Sequence, residues 1–312
     1  MTTTKKNRDA LGTRMKEYYE SIPKTKLTRR MPVIIRIDGK AFHTFTKGFA
    51  RPFDEVLIKT MQETTKYLCE NIQGCVLGYT QSDEISLVLV DYKNLNTSAW
   101  FDYEVQKMCS IAASMATMAF NKIFAKNVAQ ENALTSEWLD NGELNPNYKN
   151  KELQSLWAAH WKALDKGAMF DARVFNLPKE EVANYIYWRQ LDASRNSVQM
   201  TGQANFSDRE LQGKSCSDIQ DMLMLQKGIN WNNYPVPQKR GTCVIKESGF
   251  EQTRTVIEPQ QFGAPRVTVN EEVHNSRWII DTNIPIFKGE DRDYIESLVC
   301  FETPQQEKGH IK

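Results

Sequence analysis

The sequence predicts an α+β protein built on an antiparallel sheet in ferredoxin-like βαββαβ order, with helices on one face and a mostly helical C-terminal part. β-Branched or alternating runs give way to longer segments of helical period in the order strand, helix, strand, strand, helix, strand. Two of the strand runs are separated only by the polar Gln81-Ser82-Asp83-Glu84, the mark of a hairpin. A chain of 312 residues that is 40% hydrophobic also has the apolar surface for a substantial core.

Residues 1–31 are polar, rich in Lys, Arg and Thr, and carry one amphipathic segment over 11–22, so they form a peripheral basic arm. The first domain occupies 32–178. Val33, Ile34, Ile35 and Ile37 make a strand buried on both faces that ends at Asp38-Gly39. Asp54 stands at an N-cap position, and Leu57, Met61, Thr65, Leu68 and Ile72 follow at helical spacing, which predicts a helix over 54–72. Runs 75–80 and 85–90 are the hairpin strands. Val105, Met108, Ala112, Met115 and Ala119 predict a second helix over 100–126. Phe170, Ala172 and Val174 then alternate with Asp171 and Arg173 as a fourth strand, stopped by Asn176-Leu177-Pro178. The stretch 128–167, with Trp138, Trp157 and Trp161 in polar surroundings, reads as a helical insertion. Residues 179–246 are the helical remainder of the same unit, ending on a strand-like 241–245. Residues 247–312 form a C-terminal extension, whose runs Trp278-Ile279-Ile280 and Ile284-Pro285-Ile286-Phe287 predict that it packs on the body.

Lys+Arg total 40 and Asp+Glu 39, a net charge of +1, so any contact with RNA has to use local basic patches. The start lacks the apolar run of a signal peptide, and no stretch approaches the about 20 apolar residues of a membrane span. A cytoplasmic protein without a membrane partner is expected. Six scattered cysteines, without a CxxC pair or metal-ligand spacing, read as reduced thiols.

Polymerase palms and RNA-recognition domains share this sheet-and-helix topology, and in it Asp38 at a strand end and Asp83-Glu84 at a hairpin tip fall where the sheet brings them together. Carboxylate oxygens suit a pair of Mg²⁺ ions, which in phosphoryl transfer stabilise the attacking and leaving oxygens. Gly39 lacks a Cβ, so its backbone can approach phosphate or metal, and its carbonyl is a further ligand candidate. Lys40, His43, Lys47 and Arg51 follow in one segment suited to phosphate. Each feature has a plain counterpart: Asp-Gly after a strand is commonly a turn, an Asp-Glu tip a solvated one, and a histidine between Phe42 and Phe45 a packed residue.

Arg36-Ile37-Asp38-Gly39-Lys40-Ala41-Phe42-His43, Gly78-Tyr79-Thr80-Gln81-Ser82-Asp83-Glu84, Phe170-Asp171-Ala172-Arg173 and Trp188-Arg189-Gln190-Leu191-Asp192 together resemble the tRNA-histidine guanylyltransferase family in order and spacing, over about 32–246. The resemblance implies a polymerase-like palm that extends tRNA or tRNA-like RNA at its 5′ end, in the 3′-to-5′ direction, with two Mg²⁺ ions and with ATP, GTP or other nucleoside triphosphates as substrates. It implies Asp38, the Gly39 carbonyl and Asp83 as metal ligands, Lys40, Ala41, Phe42, His43 and Ser82 as nucleotide-binding segments, and Glu84 as a neighbouring catalytic acid. Arg51 takes the place of a family lysine at the triphosphate, retaining charge with another hydrogen-bond geometry. A homo-oligomer, a tetramer in other members, is expected by resemblance as well.

The departure lies after Asp192, where guanosine-adding members read His-Ile-Asn-Asn and this chain reads Ser194-Arg195-Asn196-Ser197. The chain is thus similar to the guanylyltransferase-like branch that repairs truncated tRNA ends by templated addition, with non-templated guanosine addition as the alternative. Readings from other classes are a nucleotide cyclase and a non-catalytic RNA-binding module. The latter usually displays aromatics on its central strands, where this chain has Ser86, Val88 and Asp171.

Overall fold

The computed structural model describes residues 10–140, 150–257 and 268–301, with the side chains at 134–140, 150, 248–257 and 268–275 left aside. Six strands form one antiparallel sheet in the order β4-β1-β3-β2-β5-β6: β1 (Val33–Gly39), β2 (Cys75–Gln81), β3 (Glu84–Leu89), β4 (Phe170–Asn176), β5 (Thr242–Ile257) and β6 (Thr268–Asp281). The first four strands stand in the order expected of a βαββαβ palm. β1, with Val33, Ile34, Ile35 and Ile37 inaccessible to solvent, lies between β4 and β3.

The arm opens with α1 (Ala10–Met15), continued by a π turn over Lys16–Glu20, and neither element buries a residue. After β1 comes the short α2 (Phe42–Phe45), then α3 (Glu55–Asn71), which Asp54 caps by accepting the Leu57 N–H. The buried face of α3 includes Thr60, Thr64 and Thr65, whose hydroxyls donate to carbonyls one turn back at 2.6 to 2.8 Å, so a polar stripe enters the core satisfied. Gly78 of β2 lets that helix seat closely. A Cβ there would lie 2.6 Å from Cys69 Sγ and 2.7 Å from Thr65 Cγ2.

α4 (Val105–Asp140) runs well past the expected end at 126, because no breaker intervenes and Val128 continues the buried stripe of Met108, Ala112, Ala116, Phe120 and Phe124. The expected insertion is therefore the second half of α4 together with α5 (Asn150–Lys166). Trp157 is partly buried and Trp161 exposed, while the Trp138 side chain lies outside the described residues. Over Val105–Ala133 this helix has the length and apolarity to cross a membrane, which departs from the reading that no such stretch exists. Its stripe against the sheet makes it a core helix.

The other face of the sheet is covered by α6 (Lys179–Asn205), followed by α7 (Asp208–Leu211), α8 (Cys216–Lys227) and α9 (Val236–Arg240). Val182, Ala183, Tyr185 and Ile186 of α6 pack with Ile34, Leu77 and Val88, joined by Ile284, Phe287 and two residues of α10 (Asp293–Val299). The palm helices α3 and α4 thus hold one face, and the helical C-terminal part holds the other. The expected boundary at 246/247 falls inside β5: residues 242–245 pair with β2 on one side while β6 runs along the other side from residue 243 to residue 257, so the chain passes from body to extension within one strand.

Candidate active site

Asp38 is the last carboxylate of β1, and its register partner across β3 is Glu84. The hairpin between β2 and β3 is a two-residue turn, Ser82-Asp83, and the Gly39 N–H donates to the Asp83 carbonyl at 3.1 Å, fastening the turn to the end of β1. Ser82 takes a left-handed φ of 50° and donates its hydroxyl to Asp83 Oδ1 at 3.1 Å. Burial pushes the Asp83 carboxyl above the ordinary carboxylate range, the nearby charge of Asp38 pushes the same way, and hydrogen bonds from its own backbone and Ser82 pull back.

A cleft of about 580 Å³ opens beside this pair. Gly39, Ala41, Phe42, His43, Lys47 and Arg51 line one side, Ser82 and Asp83 its floor, and Met200 and Gln203 of α6 the other side. Seven of the ten residues expected in the site therefore meet on one cleft. Asp38, Lys40 and Glu84 are outside its lining. Lys40 is exposed and gives its backbone N–H to the Met169 carbonyl at 2.8 Å. Phe42 is committed to the core, its ring centroid 5.0 to 5.5 Å from those of Phe45, Phe120 and Phe170. That ring also explains Gly39, where a Cβ would sit 2.2 Å from Phe42 Cδ2. Asp171, opposite Asp38 on β4, is exposed and pairs with Arg173 at 3.4 Å.

Glu84 has different company. Its Oε2 accepts from Arg36 Nη2 at 2.7 Å and from Arg189 Nη1 of α6 at 2.8 Å, and Arg189 reaches on to Asp192 at 3.2 Å. Burial raises the Glu84 carboxyl above its usual range, with Arg189 and Arg36 opposing. Arg36 also lies 3.9 Å from Asp38 Oδ2, so alternating charges run from Asp192 to Asp38. Glu84 is an internal ion-pair partner behind Asp38. The sequence reading gave no role to Arg36 or Arg189, although a charged Arg36 inside a β-branched strand was a signal of a buried pair.

The Ser194-Arg195-Asn196-Ser197 segment runs along α6 next to the cleft. Ser194 donates to the Gln190 carbonyl, Arg195 pairs with Asp192, and Ser197 accepts from Trp231 Nε1 at 2.9 Å. Asn196 and Ser197 line a smaller hollow of about 80 Å³ that shares Ser82 and Met200 with the cleft.

Among the described residues no cluster of three or more His, Cys, Asp or Glu is arranged to hold a metal ion. Mg²⁺ is commonly held by one or two carboxylates together with substrate phosphates and water. Asp38, Asp83 and the Gly39 carbonyl supply hard oxygens only, and among the described residues the charged neighbour that shifts the Asp83 carboxyl is the acid Asp38; this donor set fits that ion.

The family model described as tRNAHis guanylyltransferase matches residues 12–178. A bacterial tRNAHis guanylyltransferase (Thg1)-like protein in complex with ATP superposes with a TM-score of 0.67 at 40% identity, covering 93% of this chain and 99% of that one. A bacterial protein of the same description in complex with GTP gives 0.66 at 38% identity, covering 94% and 100%. The tRNA(His) guanylyltransferase of Debaryomyces hansenii is 27% identical over 237 residues, 71% of this chain and 75% of the yeast protein. The chain belongs to the tRNAHis guanylyltransferase family, a family of nucleotidyltransferases.

Proposed function

We propose that the protein adds nucleotides to the 5′ end of tRNA or tRNA-like RNA in the 3′-to-5′ direction, as template-directed end repair, and that Asp38, the Gly39 carbonyl and Asp83 hold Mg²⁺ for the reaction. The observation that carries this reading is the junction of two carboxylates with a cleft whose rim bears His43, Lys47 and Arg51. Family membership and the ATP and GTP complexes of the bacterial relatives support nucleoside triphosphates as its occupants.

The chemistry is phosphoryl transfer. The 3′-hydroxyl oxygen of the incoming nucleotide bonds to the 5′ phosphorus of the RNA as the bond to the leaving group breaks. That group is pyrophosphate from a triphosphate end, or AMP where a monophosphate end was first activated with ATP. Bound Mg²⁺ would neutralise the charge that develops on the transferring and leaving oxygens. Arg51 offers a planar fork for phosphate oxygens and Lys47 a point charge. The Gly39 to Asp83 backbone bond holds the two carboxylates on rigid strand ends, so little reorganisation is needed as the reaction proceeds. In place of the guanosine-adding branch's imidazole, Ser194 spends its hydroxyl on the helix backbone. This supports selection by base pairing to the RNA strand opposite.

The test uses radiolabelled nucleotide and a 5′-triphosphate tRNA lacking its first nucleotide. Label should enter the RNA with Mg²⁺ and should not with EDTA. Cyclic nucleotide formed without RNA would support the cyclase reading instead, and RNA binding without any transfer the binding-module one.

A further inference from the structure

The turn that brings Arg51 to the cleft is braced by Asp54, which lines the cleft, and through it by His160, which does not. Asp54 Oδ1 accepts from the Leu57 N–H at 2.9 Å, and Oδ2 accepts from the Ala50 N–H at 3.1 Å. The second bond closes residues 50–54 into a turn with Arg51 inside it. Oδ2 also meets Nε2 of His160, on α5, at 2.9 Å. An ionised carboxylate only accepts, so Nε2 carries the proton and donates it. Both side chains are buried, Asp54 6% and His160 1% exposed. The imidazole stands edge-on to Phe49 and Phe124, with centroids 4.7 and 5.9 Å away, and among the described residues its buried Nδ1 has no partner. The ring's one hydrogen bond among the described residues is therefore the one to Asp54, made where a low dielectric strengthens it.

We propose that His160 is a positioning residue for nucleotide binding, which by donating to Asp54 fixes the 50–54 turn and so holds Arg51 against the cleft. This rests on the reading of the cleft as the nucleotide site and of Arg51 as a phosphate contact. It gives the α5 segment, expected only as an insertion, a task in the site. Without the imidazole donor, Asp54 keeps two backbone bonds and loses its anchor to another element. Arg51 then has to be ordered when nucleotide binds, and that ordering costs affinity.

The experiment measures equilibrium binding of a fluorescent ATP analogue, without RNA, to the parent chain, His160→Leu, His160→Gln, Arg51→Ala and the double variant His160→Leu/Arg51→Ala. The Gln amide carries an N–H close to the imidazole Nε2 position. We expect His160→Leu to bind about tenfold more weakly, the scale of a hydrogen bond to a charged group. His160→Gln should bind like the parent, and His160→Leu should add no further loss once Arg51 is absent. Should the Leu variant not fold, His160→Asn, whose amide is too short to reach Asp54, takes its place in the same cycle. Parent-like binding by the folded Leu or Asn variant overturns the inference, as do losses that simply add to that of Arg51→Ala. If Arg51→Ala alone leaves affinity unchanged, the nucleotide reading of the cleft falls, and the inference with it.

Discussion

Asp83 and Glu84 are adjacent in the chain and live in different electrostatic worlds. Asp83 faces a cleft with Asp38 as its charged neighbour, whereas Glu84 is inside the protein between two arginines. Their substitutions should therefore fail in different ways. Asp38→Ala and Asp83→Ala should each lower nucleotide transfer at least about a hundredfold, the scale of a lost transition-state electrostatic contact. Their thermal melts should stay near the parent's, since neither side chain fills the core. Near-normal turnover of either variant with magnesium as the sole metal would remove the metal-ligand assignment. Glu84→Ala should instead be destabilised by about 3 kcal/mol, because it removes the buried anion that Arg189 and Arg36 share and leaves each with one more distant carboxylate. Urea unfolding measures this, and an unchanged midpoint with lost activity would make Glu84 an acid of the reaction itself. The acids were legible because strand ends and hairpin tips can be read from the pattern of residues. The partner of Glu84 was not, since Arg189 stands 105 residues away and only the packing of α6 on the sheet brings it near.

At the scale of elements, local period located the cores of strands and helices, and tertiary contacts set their ends. The α4 helix outran its expected end because Val128 still belongs to the buried core, and β5 crossed an expected boundary because the strand that pairs with β2 at its start continues on, paired with β6, beyond the body. Two of the devices that hold the segment after β6 involve residues 285–287. Phe287 is fully buried against the sheet, and Gln190 of α6 donates to the Pro285 carbonyl at 2.8 Å while accepting the Phe287 N–H at 3.0 Å. Phe287→Ala should cost about 3 to 5 kcal/mol through the cavity it leaves. In limited proteolysis it should also release the end of the chain well before the body is cut. Parent-like stability and proteolysis would show that this segment is not packed as described. Gln190 belongs to a motif visible in the sequence, but its hold on residues 285 and 287 depends on the path of the chain after β6, which no local pattern encodes.

For the whole molecule, a near-neutral chain that works on a polyanion has to meet it with local charge, and the cleft rim with His43, Lys47 and Arg51 is such a patch. Family and fold were legible because several separated motifs occur in order; the choice of nucleotide was not, because in the proposed reaction it depends on the RNA strand facing the incoming base. Base pairing discriminates among nucleotides without a protein pocket for each, as guide pairing does elsewhere. The most direct measurement supplies tRNAs lacking their first 5′ nucleotide, identical except for the base opposite the gap, with all four nucleoside triphosphates and magnesium, and sequences the products. The account predicts that the added nucleotide is the complement of that base in each case and that full-length histidine tRNA is the poorer substrate. Guanosine added whatever the opposing base, with full-length histidine tRNA preferred, would contradict it.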